Sequence, residues 1–494
     1  MKKLFLLLMS VLALMSCSEP KVENPVLTIE GGQVQGVLAD NPGVFVYRGI
    51  PYAAAPIGDL RWKEPQPVVA WEGVRLCDKF GHPGYQAVHY PGFYASEWGY
   101  GDEAPYSEDC LYLNVWTKAP GQVGKKLPVA LWIHGGGYRE GWSSEPEFDG
   151  QEWASKDVVL VSINYRLGIF GFMTHPELSA ESPHHVSGNY GILDQIQSLK
   201  WIKANIAQFG GDPDNVTIFG QSAGAGSVRT LCESPLARGL FHKAVIMSGG
   251  GIKVPAKEGE EAKPAVPMHR FFTYNPTLAE SEAETKKVMD WAGLTDLEKL
   301  RHASTEIMYT VGSLYNMVNQ SDVYLMMRPI VDGYVSTKSF DEAAREGTLA
   351  DVPYMIGYTL NDMGVMGAGI AEFCKVRQEQ GGTAWAYEFA RPLPDDGKHP
   401  DITNRLKGAF HSSDLWYVFK SLKHCWRPMT QGDWDLSEKM LTAWTNFAKY
   451  SNPNGEQEGE WTPCTAENPQ FMLFKLDEND AEASEMGEPI LPQM

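Results

Sequence analysis

The sequence has no pair of cysteines spaced as CxxC, and the six cysteines beyond residue 17, at positions 77, 110, 232, 374, 425 and 464, lie far apart. Such spacing forms no zinc pattern and fixes no disulfide connectivity, so no metal is expected. Positive charge is scarce: 42 Lys and Arg face 62 Asp and Glu, a formal charge of −20. That balance opposes binding to phosphate backbones and anionic lipid surfaces, and nucleic acid is not an expected partner. There is no internal repeat and no long low-complexity linker. The apolar run from Leu4 to Leu14 is about half of the roughly 20 residues a spanning helix needs, which excludes it as a permanent transmembrane anchor.

What is present describes a globular chain. Of its 494 residues 43% are hydrophobic and 21% charged, enough to bury a large core. The N-terminus, MKKLFLLLMSVLALMSC, places two lysines before an apolar run and small polar residues, the pattern of a secretory signal. Its end, LMSC, resembles the bacterial lipoprotein cleavage box, with Leu14 and Ser16 in place and Met15 a departure. That resemblance makes Cys17 the lipidated first residue of an exported protein, residues 1–17 the leader and residues 18–494 the mature chain. It also implies that the lipid is the sole membrane attachment, and Ser18 after the cysteine favours the outer membrane.

Apolar, β-branched runs alternate with amphipathic stretches along the chain: LYLNVWT at 111, PVALWIHG at 128, VVLVSINYR at 158, then a helical segment at 190–208. NVTIFG at 215 leads into a small-residue helix from Ala223 and another apolar run, KAVIMSG at 243. This order predicts an α/β protein with a largely parallel sheet covered by helices. Residues 252–325 have helical periodicity without clear strands and are expected to form a cap insertion. RPIVDG at 328, VPYMIGYT at 352, AWAYEFAR at 384, a helix near 435–450 and FMLFKL at 471 complete the pattern.

GQSAG at 220–224 follows a predicted strand and precedes a predicted helix. A sharp strand-to-helix turn exposes a serine beside backbone donors, so Ser222 is the candidate nucleophile. Gly220 and Gly224 permit the close backbone approach the turn needs. HGGGY at 134–138 ends another predicted strand, and glycine-rich backbone there supplies amides for the negative charge that acyl transfer builds on oxygen.

FGGDPDNVTIFGQSAG at 209–224 resembles the serine signature of the type-B carboxylesterase family, which includes cholinesterases, and EDCLYLNVW at 108–116 resembles its second signature. YRGIPYAAAPIGDLRW at 47–62, NYRLGIFGF at 164–172 and GNYGILDQ at 188–195 extend the match to essentially the whole mature chain. The resemblance implies an α/β-hydrolase fold with a twisted sheet of about eleven strands, one catalytic domain and no cofactor. By position it makes the backbone amides of Gly136, Gly137 and Ala223 the oxyanion donors. Of the late histidines at 399, 411 and 424, His411 in GAFHSSDLWYVF occupies the family's general-base position.

The acid departs from the family pattern. Where a short loop usually ends in Asp-Glu-Gly, this chain has IGYTLNDMG at 356–364. Counting from Gly357 selects Asp362, and counting back from Gly364 selects Met363, which has no carboxylate. Loop length measured from the strand favours Asp362. Gly84 likewise stands where the family has a cysteine paired with Cys110, leaving either a Cys77–Cys110 bridge or two buried thiols.

The aromatic segment HYPGFYASEWGYGDEAPY at 89–106 is a candidate substrate wall or sugar-stacking surface, or a loop anchored by its own rings. Tyr315, Met317, Tyr324 and Met326 in the cap are a second candidate wall, although residues at such spacing more often pack. The expected activity is hydrolysis of a small-molecule or saccharide-linked carboxylic ester through an acyl-enzyme. The alternatives are a catalytically silent binding or adhesion protein of the same fold, and amidase or lactonase chemistry by the same residues. If Cys17 carries the anchor, Cys17→Ala abolishes incorporation of labelled palmitate and moves the protein from the membrane pellet to the soluble fraction. Unchanged labelling of the variant would refute lipidation at Cys17.

Overall fold

The computed structural model describes residues 24–86, 97–98, 105–255, 275–319, 327–403 and 405–490. Its centre is an eleven-stranded mixed sheet. From one edge to the other the strands are Glu485–Gly487, Phe471–Phe474, Ala384–Phe389, Tyr354–Thr359, Lys243–Met247, Gly211–Gln221, Leu127–Ile133, Val159–Ile163, Tyr112–Thr117, Phe45–Pro51 and Val37–Leu38. The run from Phe471–Phe474 to Val159–Ile163 is parallel, and the pairings outside it are antiparallel.

Central strands such as Val159–Ile163, Lys243–Met247 and Tyr354–Thr359 are buried at every position. This is why they read in sequence as continuous apolar runs: both faces of a parallel sheet are covered. One face packs residues including Ile133, Ile192, Ile202 and Ile218, and the other includes Trp132, Trp153, Phe219 and Phe419. On the second face Trp132 lies 4.8 Å from Phe148 and 4.9 Å from Phe219, giving the strand before Ser222 a rigid aromatic backing.

The expected strands at 111, 128, 158, 215, 243, 352, 384 and 471 and the helices Tyr190–Asn205, Ala223–Glu233 and Gln431–Tyr450 are all present. RPIVDG forms only an isolated bridge, Val331 to Thr277. Features not foreseen include a small sheet of Leu27–Ile29, Gly32–Gln35 and Val74–Leu76, the strands Val37–Leu38 and Phe45–Pro51 of the main sheet, the helices Phe340–Arg345 and Gly367–Glu379, and the edge strand Glu485–Gly487. Several of these segments are only two to four residues long, too short for apolar periodicity to mark them.

In the expected cap, the described part is helical: Leu278–Ala292, Leu297–Arg301 and Thr305–Asn319. Thr277 and Glu280 close a capping box at the start of the first helix. The segment is fastened by a buried cluster in which the Arg61 guanidinium pairs with Glu108 and donates to the carbonyls of Leu300 (3.1 Å) and Ala303 (2.8 Å). The side chain of Met317, and Tyr324 and Met326, lie outside the described residues, and Tyr315 packs edge-on against Trp291 at 5.5 Å. Cys17 and most of the 89–106 segment also lie outside the described residues, Trp98 and Tyr106 being within them. Cys77 and Cys110 are separate buried thiols.

One buried acid is out of its ordinary range. Asp414 is fully buried, accepts a hydrogen bond from the Tyr387 hydroxyl at 3.3 Å, and leaves its Oδ1 without a partner among the described residues. Burial and the nearby charge of Asp362 raise its pKa to about 7, against the opposing influence of His411 and the Tyr387 bond. A raised acid stabilises the fold fully below its unfolded pKa, and that contribution is lost as pH climbs through the folded value. The pH 5 to pH 8 loss of unfolding free energy is therefore smaller in Asp414→Asn by about 3 kcal/mol, at ~1.4 kcal/mol per pH unit. Denaturant titrations at the two pH values check this, and parallel profiles for the two proteins would refute it.

Candidate active site

Three strand ends at the carboxyl edge of the parallel sheet converge on one place. Gly211–Gln221 ends at Ser222, Leu127–Ile133 ends at the glycine loop, and Tyr354–Thr359 ends at the turn that carries Asp362. In open α/β sheets this edge is where side chains from different strands gather without helices in the way.

Ser222 sits between its strand and the helix Ala223–Glu233 with φ 58° and ψ −121°, a conformation a non-glycine residue rarely adopts. Its amide donates to Met247 O at 2.9 Å, and its carbonyl accepts from Gly226 N at 2.9 Å, so both neighbours hold the turn. The glycines around it are required by space. A Cβ on Gly224 would fall 2.0 Å from Ile133 O, and one on Gly220 2.6 Å from the Gly224 backbone.

The glycine loop lies directly against the serine, since a Cβ on Gly135 would come within 3.2 Å of Ser222 Cβ. Gly136 (φ 95°) and Gly137 (φ 62°) both take left-handed backbone. Neither amide donates to another group among the described residues, whereas Gly136 O accepts from Arg139 N and Glu140 N. The loop is thus fixed through its carbonyls with its N–H groups left open. Ala223 is the first residue of the helix, where an amide has no partner within the helix.

His411 is buried in the loop before the short helix Leu415–Val418. Its Nδ1 lies 2.6 Å from Asp362 Oδ1, and both side chains are nearly or wholly removed from solvent. The same carboxylate accepts from Met363 N at 2.7 Å on Oδ1 and from Thr359 N (3.2 Å) and Thr359 Oγ1 (3.1 Å) on Oδ2. Burial alone would raise its pKa, but the His411 charge and hydrogen bond hold it below the usual carboxylate range. The Ser248 hydroxyl, which makes no well-aligned hydrogen bond of its own, and the Met363 amide lower it further. Asp362 therefore stays ionised and fixes the imidazole proton on Nδ1, leaving Nε2 as the acceptor.

That nitrogen faces the elbow: the side-chain amide of Gln221, the residue before Ser222, lies 3.3 Å from His411 Nε2. Met363, the competing count for the acid position, is exposed. His399 and His424 lie near the surface beside Asp396 and Asp149.

Asn361 was not singled out from sequence. Its amide donates to Ala409 O (2.9 Å) while its Oδ1 accepts from Ala409 N (3.0 Å), joining the acid turn to the histidine loop. A Cβ on Gly408 would meet Asn361 Oδ1 at 2.0 Å, so this clamp requires glycine there. The available cue was an asparagine next to the candidate acid, which is too common in turns to be informative.

Two cavities flank Ser222. One, of about 460 Å³ counting its open mouth, is lined by Tyr138, Ser222, Ala223, Arg229, Glu233 and Arg328 among others. The second, about 360 Å³, has Trp98, Trp142, Phe148 and Leu415 in its wall beside Gly136 and Gln221. Among the described residues no group of three or more His, Cys, Asp or Glu could hold a metal ion.

The carboxylesterase family model matches residues 23–380 and 364–488. A fumonisin B1 esterase of Sphingopyxis macrogoltabida is 33% identical, the match covering 90% of this chain and 85% of that protein. A phenmedipham hydrolase of Pseudarthrobacter oxydans is 35% identical over 95% of this chain and 98% of its own. Among solved structures, a PNB esterase superimposes with a TM-score of 0.76 at 27% identity, covering 94% of this chain and 97% of that one. The Geobacillus stearothermophilus carboxylesterase gives 0.72 at 30% identity, covering 93% and 97%. With an elbow serine, an open-amide glycine loop and a buried Asp–His pair on this sheet, the chain belongs to the carboxylesterase family and is a carboxylic ester hydrolase of the α/β-hydrolase fold.

Proposed function

We propose that Ser222 is the nucleophile, His411 the general base and Asp362 the acid of an acyl-enzyme mechanism, with the amides of Gly136, Gly137 and Ala223 as oxyanion donors. The observation that carries this reading is the 2.6 Å bond between His411 Nδ1 and a buried, ionised Asp362 on a loop fastened by Asn361. Ser222 Oγ attacks the ester carbonyl carbon and gives its proton to His411 Nε2. The C–O bond to the alcohol breaks, and His411 returns the proton to the departing oxygen. A water molecule, deprotonated by the same nitrogen, then releases the acid and restores the serine. Asp362 keeps its charge throughout and stabilises the imidazolium.

We also propose that the alcohol limb is linked to a saccharide. Trp98, Trp142 and Phe148 put aromatic rings in the wall of the second cavity, of the kind that pack against sugar rings, while Glu140, Glu145, Gln221 and Ser412 in the same wall supply polar groups for hydroxyls. Attachment through Cys17 would put the enzyme outside the cytoplasm, where polymer-bound esters are met.

A fluorophosphonate probe is expected to label the wild type and not Ser222→Ala; absence of Ser222-dependent labelling would favour the silent binding protein. Across acetyl, butyryl and feruloyl esters, His411→Ala and Asp362→Asn lower turnover, the latter by roughly ten-thousandfold as for triad acids elsewhere. Near-normal turnover in Asp362→Asn would move the acid to another residue. For the alcohol limb, a feruloylated oligosaccharide should exceed methyl ferulate in kcat/KM, and parity would refute the saccharide reading.

A further inference from the structure

The helix Gly367–Glu379 and the loop before the strand Phe471–Phe474 each carry a buried cysteine that has no part in the mechanism. Cys374 and Cys464 are both 1% exposed and belong to the same apolar cluster. Packing sets them at one level of the fold. The Phe373 ring meets the Tyr354 ring edge-on at 5.3 Å, Tyr354 is paired with Ala384 across the sheet, and Ala384 O accepts from Cys464 N at 3.0 Å.

A second set of bonds fixes helix to loop one turn further on. Gln378 shares a helix face with Cys374; its Oε1 accepts from Ala466 N at 2.9 Å, and its Nε2 donates to Glu467 Oε2 at 2.7 Å. Between these two anchors the Cys374 thiol is hydrogen-bonded to the Cys464 thiol.

Two other thiols are engaged elsewhere: Cys77 donates to Arg75 O at 3.7 Å, and Cys232 is hydrogen-bonded to the Tyr354 hydroxyl. The pair has no third ligand that would make it a metal site, since among the described residues no group of three or more His, Cys, Asp or Glu could hold an ion. Thiols in contact on two backbones that are each held in place can close a disulfide without backbone movement, which a distant pair cannot.

Resting on the placement outside the cytoplasm proposed above, we propose that Cys374 and Cys464 close a disulfide as the exported chain folds, tying the helix that follows Asp362 to the loop that follows the helix Gln431–Tyr450. The thiolate of one cysteine attacks a carrier disulfide, forming a mixed disulfide and releasing one carrier thiol. The other cysteine then displaces the second carrier thiol, and the two electrons and two protons lost by the chain leave the carrier reduced. The hydrogen bond to Cys464 and burial raise the Cys374 thiol well above its ordinary pKa, so little thiolate forms once the core has closed, and the exchange belongs to folding rather than to the finished enzyme. The enclosed stretch, 375–463, contains His411, so the bridge restricts the unfolded chain around the proposed general base.

The test uses the full chain, expressed with its own N-terminus, separated into cytoplasmic and envelope fractions and denatured in maleimide without reductant. Mass spectrometry of a digest of the envelope protein is expected to give the Cys374 and Cys464 peptides as one linked species that separates on reduction. Melting in the presence of reductant should lower Tm of the wild type by about 5 °C, a shift that Cys374→Ala and Cys464→Ala should both lack. Because each variant is compared with itself, packing lost with the side chain does not enter. Maleimide on both cysteines of the envelope protein, either cysteine linked to a different one, or a reductant shift that persists in the variants overturns the bridge and leaves the placement standing. Protein confined to the cytoplasm with both thiols blocked overturns the placement and the bridge with it.

Discussion

A carboxylate removed from water keeps its charge only where hydrogen-bond donors replace the lost solvent, and the rest of this site depends on that being achieved at Asp362. Three donors from Thr359 and Met363 and the His411 ring supply the replacement. The sheet makes it possible, since the strand that ends at Thr359 lies beside Lys243–Met247, which in turn pairs with the strand that ends at Ser222. Strand order thus sets the distance between the two polar groups before any loop is considered.

Much of this architecture was legible in the sequence, and for identifiable reasons. Strands buried on both faces appear as unbroken apolar runs, and the elbow glycines appear because a side chain at Gly220 or Gly224 would collide with backbone. The carboxylate that pairs with His411 is the one that loop length from the strand, rather than the following glycine, selects. In the fold Asp362 lies 2.6 Å from His411, and the neighbouring Met363 faces solvent. Asn361 and Gly408 were not legible, because their work is done between segments far apart in the chain. The same holds for Arg229 and Arg328, whose burial beside the serine is a product of tertiary packing and leaves no local pattern.

The two cavities give the site opposite characters on its two sides. The wall near the imidazole sets Trp98, Trp142 and Phe148 beside Glu140 and Glu145, whereas the wall beyond the elbow sets Arg229 and Arg328 beside Glu233 and Phe340. Gln221 sits at the border, its side chain turned to His411 and its backbone leading into Ser222.

The reciprocal bonding of Asn361 with Ala409 has a consequence for how the enzyme fails on heating. The loop bearing the acid and the loop bearing the imidazole are latched to each other, so thermal motion carries them as one body. Fraying of that corner would therefore loosen the segments that carry Asp362 and His411 together.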